Sequence, residues 1–172
     1  DINTIAVIAA GSDNIPTSAM DDPIGTTNLT VTDITLPEEV DGVTLGSLTS
    51  IAISGDLMAV AVPADTKTDN GYVLFYNGLD SSSPVFLDQV EVGALPDMVT
   101  FTPDGGKVLV ANEGEPSSDY TVDPEGSISV INILASGEPE ESASTISFTD
   151  FNDEQETLLS QGMMFPNPSG RT

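Results

Sequence analysis

Two stretches of the chain align with one another: Thr49–Val62, TSIAISGDLMAVAV, and Asp97–Asn112, DMVTFTPDGGKVLVAN. In each, an apolar run is followed by a tight turn containing glycine and then by a second apolar run, which is the pattern of a β-hairpin. Val99 follows Ile51 by 48 residues, close to the repeat of roughly 40 to 50 residues in propeller blades. The alignment therefore predicts a repeated β unit.

The repeated unit extends beyond the hairpin. After the second strand of each unit comes an acidic loop and then a strand that begins with glycine, Gly71–Tyr76 in one unit and Gly126–Ile131 in the other. Near the start of the chain, Ile5–Ala10 and Leu29–Ile34 supply two strands of the same kind without the leading strand. We interpret the chain as all-β, a partial β-propeller made of repeated β-meander blades.

The whole chain, residues 1–172, is expected to form a single domain of this kind. Its approximate blades are residues 1–47, 48–96 and 97–150, and residues 151–172 form a loop or the start of the next blade. The same alternation would permit an ordinary β-sandwich of about ten strands, which is the alternative architecture.

Almost all of the apolar runs are short, rich in β-branched residues and bounded by Gly, Pro, Asn or Asp, which predicts strands. The predicted strands are Thr4–Ala9, Leu29–Ile34, Leu48–Ile53, Leu57–Val62, Tyr72–Tyr76, Val85–Val92, Met98–Phe101, Val108–Ala111, Ser127–Ile133 and Thr145–Phe148. One short helix is predicted over Asp153–Ser160, where Asn152 can cap the first turn and Leu158 and Leu159 can be buried; a surface turn is the alternative.

The number of blades indicates a fragment of a larger propeller. A propeller closes with about four to eight blades, and this sequence supplies fewer than three. An unfinished propeller exposes apolar blade faces and strand edges. We therefore expect the remaining blades of the same chain, or other copies of it, to be its first partners.

The charge of the chain restricts its partners. It has 28 Asp and Glu against 3 Lys and Arg, a formal net charge of −25. Such a chain repels phosphate backbones and anionic lipids, so we expect that it does not bind nucleic acid. No apolar run is long enough for a membrane span, so no membrane insertion is expected. The acidic excess favours cationic partners. The first residue is Asp1 rather than Met, which suits a processed chain, so we expect an exported protein.

The residue types restrict the chemistry in the same way. The chain has no His and no Cys. It therefore cannot assemble a Ser-His-Asp or Cys-His hydrolytic site, an ordinary zinc site or a thiol nucleophile from its own residues. What remains is oxygen chemistry, and the catalytic residues of any reaction stay unknown at this point.

The densest group of oxygen ligands lies between two predicted strands, in the loop that runs from Asn112 to Gly126. It holds five carboxylates and no basic residue; they are Glu113, Glu115, Asp119, Asp123 and Glu125. Calcium takes six to eight oxygen ligands, and a loop punctuated by glycine and proline can curl to offer them. The loop is a candidate calcium site, and a solvated acidic loop is the alternative.

A weaker candidate lies at the equivalent point of the preceding repeat, where the loop contains Asp65 and Asp69. Its recurrence at the same position suggests that both loops lie on one face. Lys67 partly neutralises this second loop, and Asp69, Asn70 and Gly71 together are also ordinary turn residues.

The stretch from Leu95 to Ile131, LPDMVTFTPDGGKVLVANEGEPSSDYTVDPEGSISVI, resembles the choice-of-anchor I family of exported bacterial propeller-like proteins. Animal mesenchyme-specific cell-surface glycoproteins are also similar to that family. The segments Thr49–Val62, Gly71–Tyr76 and, more weakly, Thr4–Ile34 resemble it too. The resemblance implies export, an extracellular or cell-surface location, and a longer propeller. Some relatives are similar to alkaline phosphatases or calcium-dependent phytases, which implies a phosphoesterase.

Three functions follow from these observations. The first is an exported or cell-surface calcium-binding propeller module, not an enzyme, that contacts a partner or the extracellular matrix. The second is a metal-dependent phosphoester hydrolase in which calcium held by the carboxylates binds phosphate and activates water. The third is an extracellular structural subunit that assembles through its strand edges.

Overall fold

The computed structural model of the protein describes residues 4–10, 29–79 and 84–164. Among these residues the strands are β1 (Thr4–Ala10), β2 (Leu29–Thr35), β3 (Glu39–Val40), β4 (Val43–Thr44), β5 (Ser50–Ser54), β6 (Leu57–Val62), β7 (Asn70–Asn77), β8 (Val85–Ala94), β9 (Pro96–Phe101), β10 (Lys107–Asn112), β11 (Ser127–Asn132) and β12 (Ser144–Ser147). Helical structure follows them as a 3-10 helix, Thr149–Glu154, and α1, Gln155–Ser160. The all-β prediction is confirmed, and each predicted strand overlaps an observed one.

The strands β5 to β8 form one four-stranded antiparallel meander, in which each strand pairs with the next along the chain. The strands β9 to β12 form a second meander with the same order. We call these sheets the first blade and the second blade. The register places Ile51 opposite Val60 in the first blade and Val99 opposite Val110 in the second, so the hairpins that were aligned in sequence are equivalent in structure.

The first blade is buried on both faces. One face, with Met58, Val60 and Leu74, packs on residues from the N-terminal strands and from β3 to β4, including Ile34 and Val40. Strands that are covered on both faces have apolar residues at nearly every position, as β6 and β7 do. This explains why Leu57–Val62 is apolar at every position, rather than at every second one.

The opposite face of the first blade packs on the second blade. Phe75, Val73 and Ala61 from the first blade meet Val110 and Ile131 from the second, and each is 0% exposed. Face-to-face packing of consecutive meanders is how neighbouring propeller blades are related, whereas a Greek-key sandwich sends strands back and forth between its sheets. The two meanders therefore pack as propeller blades do, and not as the sheets of a Greek-key sandwich.

The connection between the blades is short and tightly built. Only Leu95 separates β8 from β9, with a positive φ of 53°. Thr49 Oγ1 donates a hydrogen bond to the Pro96 carbonyl oxygen at 2.7 Å, and the Val99 N–H donates to Ser50 Oγ at 3.2 Å. These bonds hold the first strands of the two blades, β5 and β9, side by side.

Two details of the fold differ from the sequence prediction. The hairpin of β3 and β4 was not predicted, although Asp41 and Gly42 form its turn with φ values of 51° and 83°, as a two-residue hairpin turn requires. The helix prediction is wrong in its cap and its burial. Helix α1 has no side-chain cap, and none of its residues is buried. The reason is that no other element covers this terminal segment closely enough to bury Leu158 or Leu159.

No helix within residues 4–10, 29–79 and 84–164 has the length and apolar character that crossing a membrane would require.

Candidate functional site

The two acidic loops lie beside each other. Lys67 Nζ, in the loop between β6 and β7, contacts Glu115 Oε2, in the loop between β10 and β11, at 3.0 Å. Both side chains are about half exposed, so this ion pair contributes at most about 1 kcal/mol to stability. The ion pair matters because it shows that equivalent loops of consecutive blades lie side by side. We call residues 65–70 and 113–125 the acidic rim.

The larger loop of the acidic rim is closed at its base by glycine. Gly114 has a φ of 64°, and a Cβ atom there would lie 2.5 Å from the Glu125 backbone carbon. The Glu113 N–H donates to the Leu95 carbonyl oxygen at 2.9 Å, and the Gly114 N–H donates to the Ala94 carbonyl oxygen at 3.2 Å. The beginning and end of the loop therefore meet, and the beginning is fixed to the connection between the blades.

A buried polar cluster lies directly below this base. Asn112 Nδ2 donates hydrogen bonds to Ser127 Oγ at 3.0 Å and Ser129 Oγ at 2.9 Å. The Gly93 N–H of the first blade donates to the same Ser129 Oγ at 3.4 Å. A side chain at Gly93 would collide with Asn112 and Ser127, at 2.8 Å from both. The absence of a side chain at Gly93 thus lets the second blade approach the first closely.

Asp119 stabilises the middle of the loop. Its Oδ1 accepts hydrogen bonds from Ser117 Oγ at 2.7 Å, Thr121 Oγ1 at 2.8 Å and the Thr121 N–H at 3.2 Å. These bonds favour the ionised form, so the Ser117 hydroxyl first, and then Thr121, hold the pKa of Asp119 below its usual value. The turn also contains Tyr120 with a φ of 60°. In the described structure Asp119 therefore organises the loop.

The lowered pKa of Asp119 gives a prediction that NMR can test. Ser117→Ala removes the largest cause of the shift, and we expect the pKa of Asp119 to rise toward the ordinary value of about 3.9. Because the pKa is depressed in the folded state, the contribution of Asp119 to stability is complete above about pH 3.9 and is lost as pH falls through its lower folded pKa. A carboxyl-carbon titration of wild type, Ser117→Ala and the control Ser136→Ala measures the shift. An unchanged Asp119 pKa in Ser117→Ala would contradict this assignment.

A polar cleft of about 430 Å³ adjoins the rim. Glu91, Glu125 and Glu141 line it, together with Asn70 and several hydroxyl groups. Asn70 Nδ2 donates to Glu91 Oε1 at 2.9 Å. Sequence analysis missed Glu91 and Glu141, since they lie in other segments. The available signal for Glu91 was the pairing of β7 with β8, which follows from the blade interpretation. Glu141 lies between β11 and β12 and had no such signal.

The structure places the predicted metal ligands on the surface. All seven carboxylates named from the sequence are exposed; they are Glu113, Glu115, Asp119, Asp123, Glu125, Asp65 and Asp69. It brings Glu113 and Glu125 to the loop base, turns Glu115 to Lys67, and engages Asp119 in the loop turn. In the described part of the chain, no three His, Cys, Asp or Glu side chains are grouped so that they could hold one metal ion.

Stacked four-stranded meanders with equivalent loops on a common rim define a propeller-type repeat domain. The chain belongs to the choice-of-anchor I domain family, whose model matches residues 3–172. Membership in this family indicates an extracellular protein associated with the cell surface. Comparison with curated proteins found no match, and neither did comparison with solved structures.

Proposed function

We propose that the chain is an exported, cell-surface propeller module that binds calcium at the acidic rim and contacts a cationic partner or the extracellular matrix there. The observation that carries this proposal is the meeting of the two loops, marked by the 3.0 Å contact of Lys67 with Glu115. Two repeats thereby contribute carboxylates to one rim, and one lysine lies among them.

The charge of the chain supports the proposal. With 28 acidic and 3 basic residues, most carboxylates have no protein cation to pair with. A cation bound at the acidic rim would reduce the repulsion among these carboxylates. Glu113, Asp123 and Glu125 are the side chains best placed to take part, because Glu115 pairs with Lys67 and Asp119 organises the turn. Backbone carbonyl oxygens of the loop would supply the remaining ligands that calcium needs.

Calcium is expected to raise the melting temperature of the protein. A ligand at about one hundred times its Kd that binds only the folded state stabilises it by about 2.7 kcal/mol, or about 6 to 10 °C for a chain of this size. Magnesium is expected to have less effect, because it prefers strict octahedral geometry and retains its waters. The measurement is a thermal melt in calcium, in magnesium and in chelator, at one ionic strength.

A pair of matched variants separates binding from general charge effects. Asp123→Asn with Glu125→Gln removes two charges from the rim and is expected to abolish the calcium shift. Asp153→Asn with Glu156→Gln removes the same two charge types from the exposed C-terminal helical segment and is expected to retain it. Equal melting temperatures of the wild type in calcium and in chelator would overturn calcium binding.

The phosphoester hydrolase and the self-assembling subunit stay predictions from the sequence.

A further inference from the structure

A lysine, an asparagine and a glutamate form a chain of side-chain hydrogen bonds beside β10 and β11. Lys107, at the start of β10, is the register partner of Asn132, at the end of β11. Lys107 Nζ donates to Asn132 Oδ1, and Asn132 Nδ2 donates to Glu140 Oε2 at 2.7 Å. The Asn132 amide therefore has an amine on its oxygen and a carboxyl group on its nitrogen.

The backbone fixes the glutamate beside the amide. The Glu140 N–H donates to the Asn132 carbonyl oxygen at 2.9 Å, and Ile133 forms an isolated β-bridge with Pro139. These bonds close a turn that returns the chain to Asn132. Asn132 and Glu140 are both partly buried. Glu140 is thus a fixed neighbour of the amide.

The hydrogen-bond partner of Lys107 is unusual for so acidic a chain. Lys67 contacts a carboxylate, that of Glu115, at 3.0 Å. Within the described residues Lys107 forms no such ion pair, although Asp104 lies close enough to feel its charge. The chain holds 28 Asp and Glu, yet this lysine donates to a primary amide. That contact points to chemistry between the amine and the amide.

An amine, a primary amide and a carboxyl group in contact can exchange one amide for another. After it loses a proton to solvent, the Lys107 amine attacks Asn132 Cγ, which is bonded to the oxygen that the amine already contacts. The Nζ–Cγ bond forms and the Cγ–Nδ2 bond breaks. Both nitrogens are bound to Cγ in between, so Glu140 beside Nδ2 can take the proton from Nζ and deliver it to Nδ2. Nδ2 leaves as ammonia, and no oxidant or other reactant is needed.

We propose that Lys107 and Asn132 join in an isopeptide bond and that Glu140 is the catalytic residue that transfers the proton. The bond links β10 to β11 and spans 25 residues of sequence, including the larger loop of the acidic rim. A chain without cysteine has no disulfide to serve this purpose, and a covalent link across a loop stabilises a protein by restricting its unfolded chain. This proposal does not depend on calcium.

Mass spectrometry tests the bond directly. The folded wild type is measured as purified and after several days in mildly alkaline buffer, which increases the uncharged fraction of a lysine amine. Its mass is expected to be lower by one ammonia. A protease that cleaves after glutamate separates Lys107 from Asn132, because Glu113, Glu115 and Glu125 lie between them. The two peptides are expected to stay joined, as only a covalent bond allows.

Conservative variants assign the roles. Lys107→Arg keeps the charge but removes the amine, and it is expected to abolish both the joined peptides and the loss of ammonia. Lys67→Arg makes the same change at the lysine that pairs with Glu115, and it is expected to retain both. Glu140→Gln removes the proton carrier at nearly the same size, and the rate of joining is expected to fall about a hundredfold. Wild type kept in urea is expected to form no joined peptides.

A full-mass wild type without joined peptides after the incubation would overturn the proposal, and the three side chains would then form only a hydrogen-bond network. Joined peptides at the wild-type yield in Lys107→Arg would contradict the role of the lysine as nucleophile. Equal rates of joining in the wild type and Glu140→Gln would contradict proton transfer by Glu140. Since the first of these results comes from the wild type alone, it is decisive even if a variant unfolds.

Discussion

Phe75→Ala is expected to lower the free energy of unfolding by about 3–5 kcal/mol, the usual cost of truncating a buried phenylalanine. Phe75 is 0% exposed and packs in the cluster between the first and second blades. Its loss removes apolar burial and leaves a cavity beside Ala59, which is too small to fill it. For a protein of this size the melting temperature is expected to fall by about 6 to 20 °C.

The control for this prediction is Phe151→Ala, which makes the same chemical change at a phenylalanine that is 49% exposed. Phe151 lies in the terminal 3-10 helix, where no residue is buried, so a change within about 1 kcal/mol is expected. Denaturant unfolding followed by circular dichroism measures both variants. Similar losses in Phe75→Ala and Phe151→Ala would show that the blades do not pack through Phe75 in solution.

The strands could be predicted because their signals are local. Each of the main strands is a short β-branched run with glycine, proline or asparagine at its ends, and the hairpin repeat defines which runs pair. The hairpin of β3 and β4 was missed because its strands have only two residues each, too few for alternation to be visible. Its turn residues, Asp41 and Gly42, were the available signal.

The acidic rim could be predicted only in part. Recurrence of acidic loops after equivalent strands indicated that Asp65 and Asp69 lie on the same side as the larger loop. The sequence could not indicate that Lys67 reaches Glu115, because 48 residues separate them and the contact depends on how the blades stack. Nor could it distinguish Asp119, which organises the turn, from carboxylates available for a cation. That distinction depends on side-chain hydrogen bonds to Ser117 and Thr121.

Gly114→Ala is expected to destabilise the protein by about 3 kcal/mol or more, for two separate reasons. A φ of 64° costs a residue with a side chain about 1–2 kcal/mol. In addition, the new Cβ would lie 2.5 Å from the Glu125 carbon and 2.6 Å from the Gly126 nitrogen. These are backbone atoms, which cannot rotate away as a flexible side chain can. The base of the acidic loop must open to admit the methyl group.

The variant Gly137→Ala separates the cost of the positive φ from the cost of the collision. Gly137 has a φ of 89°, but a Cβ there would meet nothing within 4 Å, so only the backbone strain remains and a loss of about 1–2 kcal/mol is expected. Urea unfolding of both variants and the wild type gives the difference, which is the cost of the collision. If opening the base moves Glu113 away from Glu125, Gly114→Ala also reduces the calcium shift, while Gly137→Ala retains it. Equal losses of stability in the two variants would contradict a tightly closed loop base.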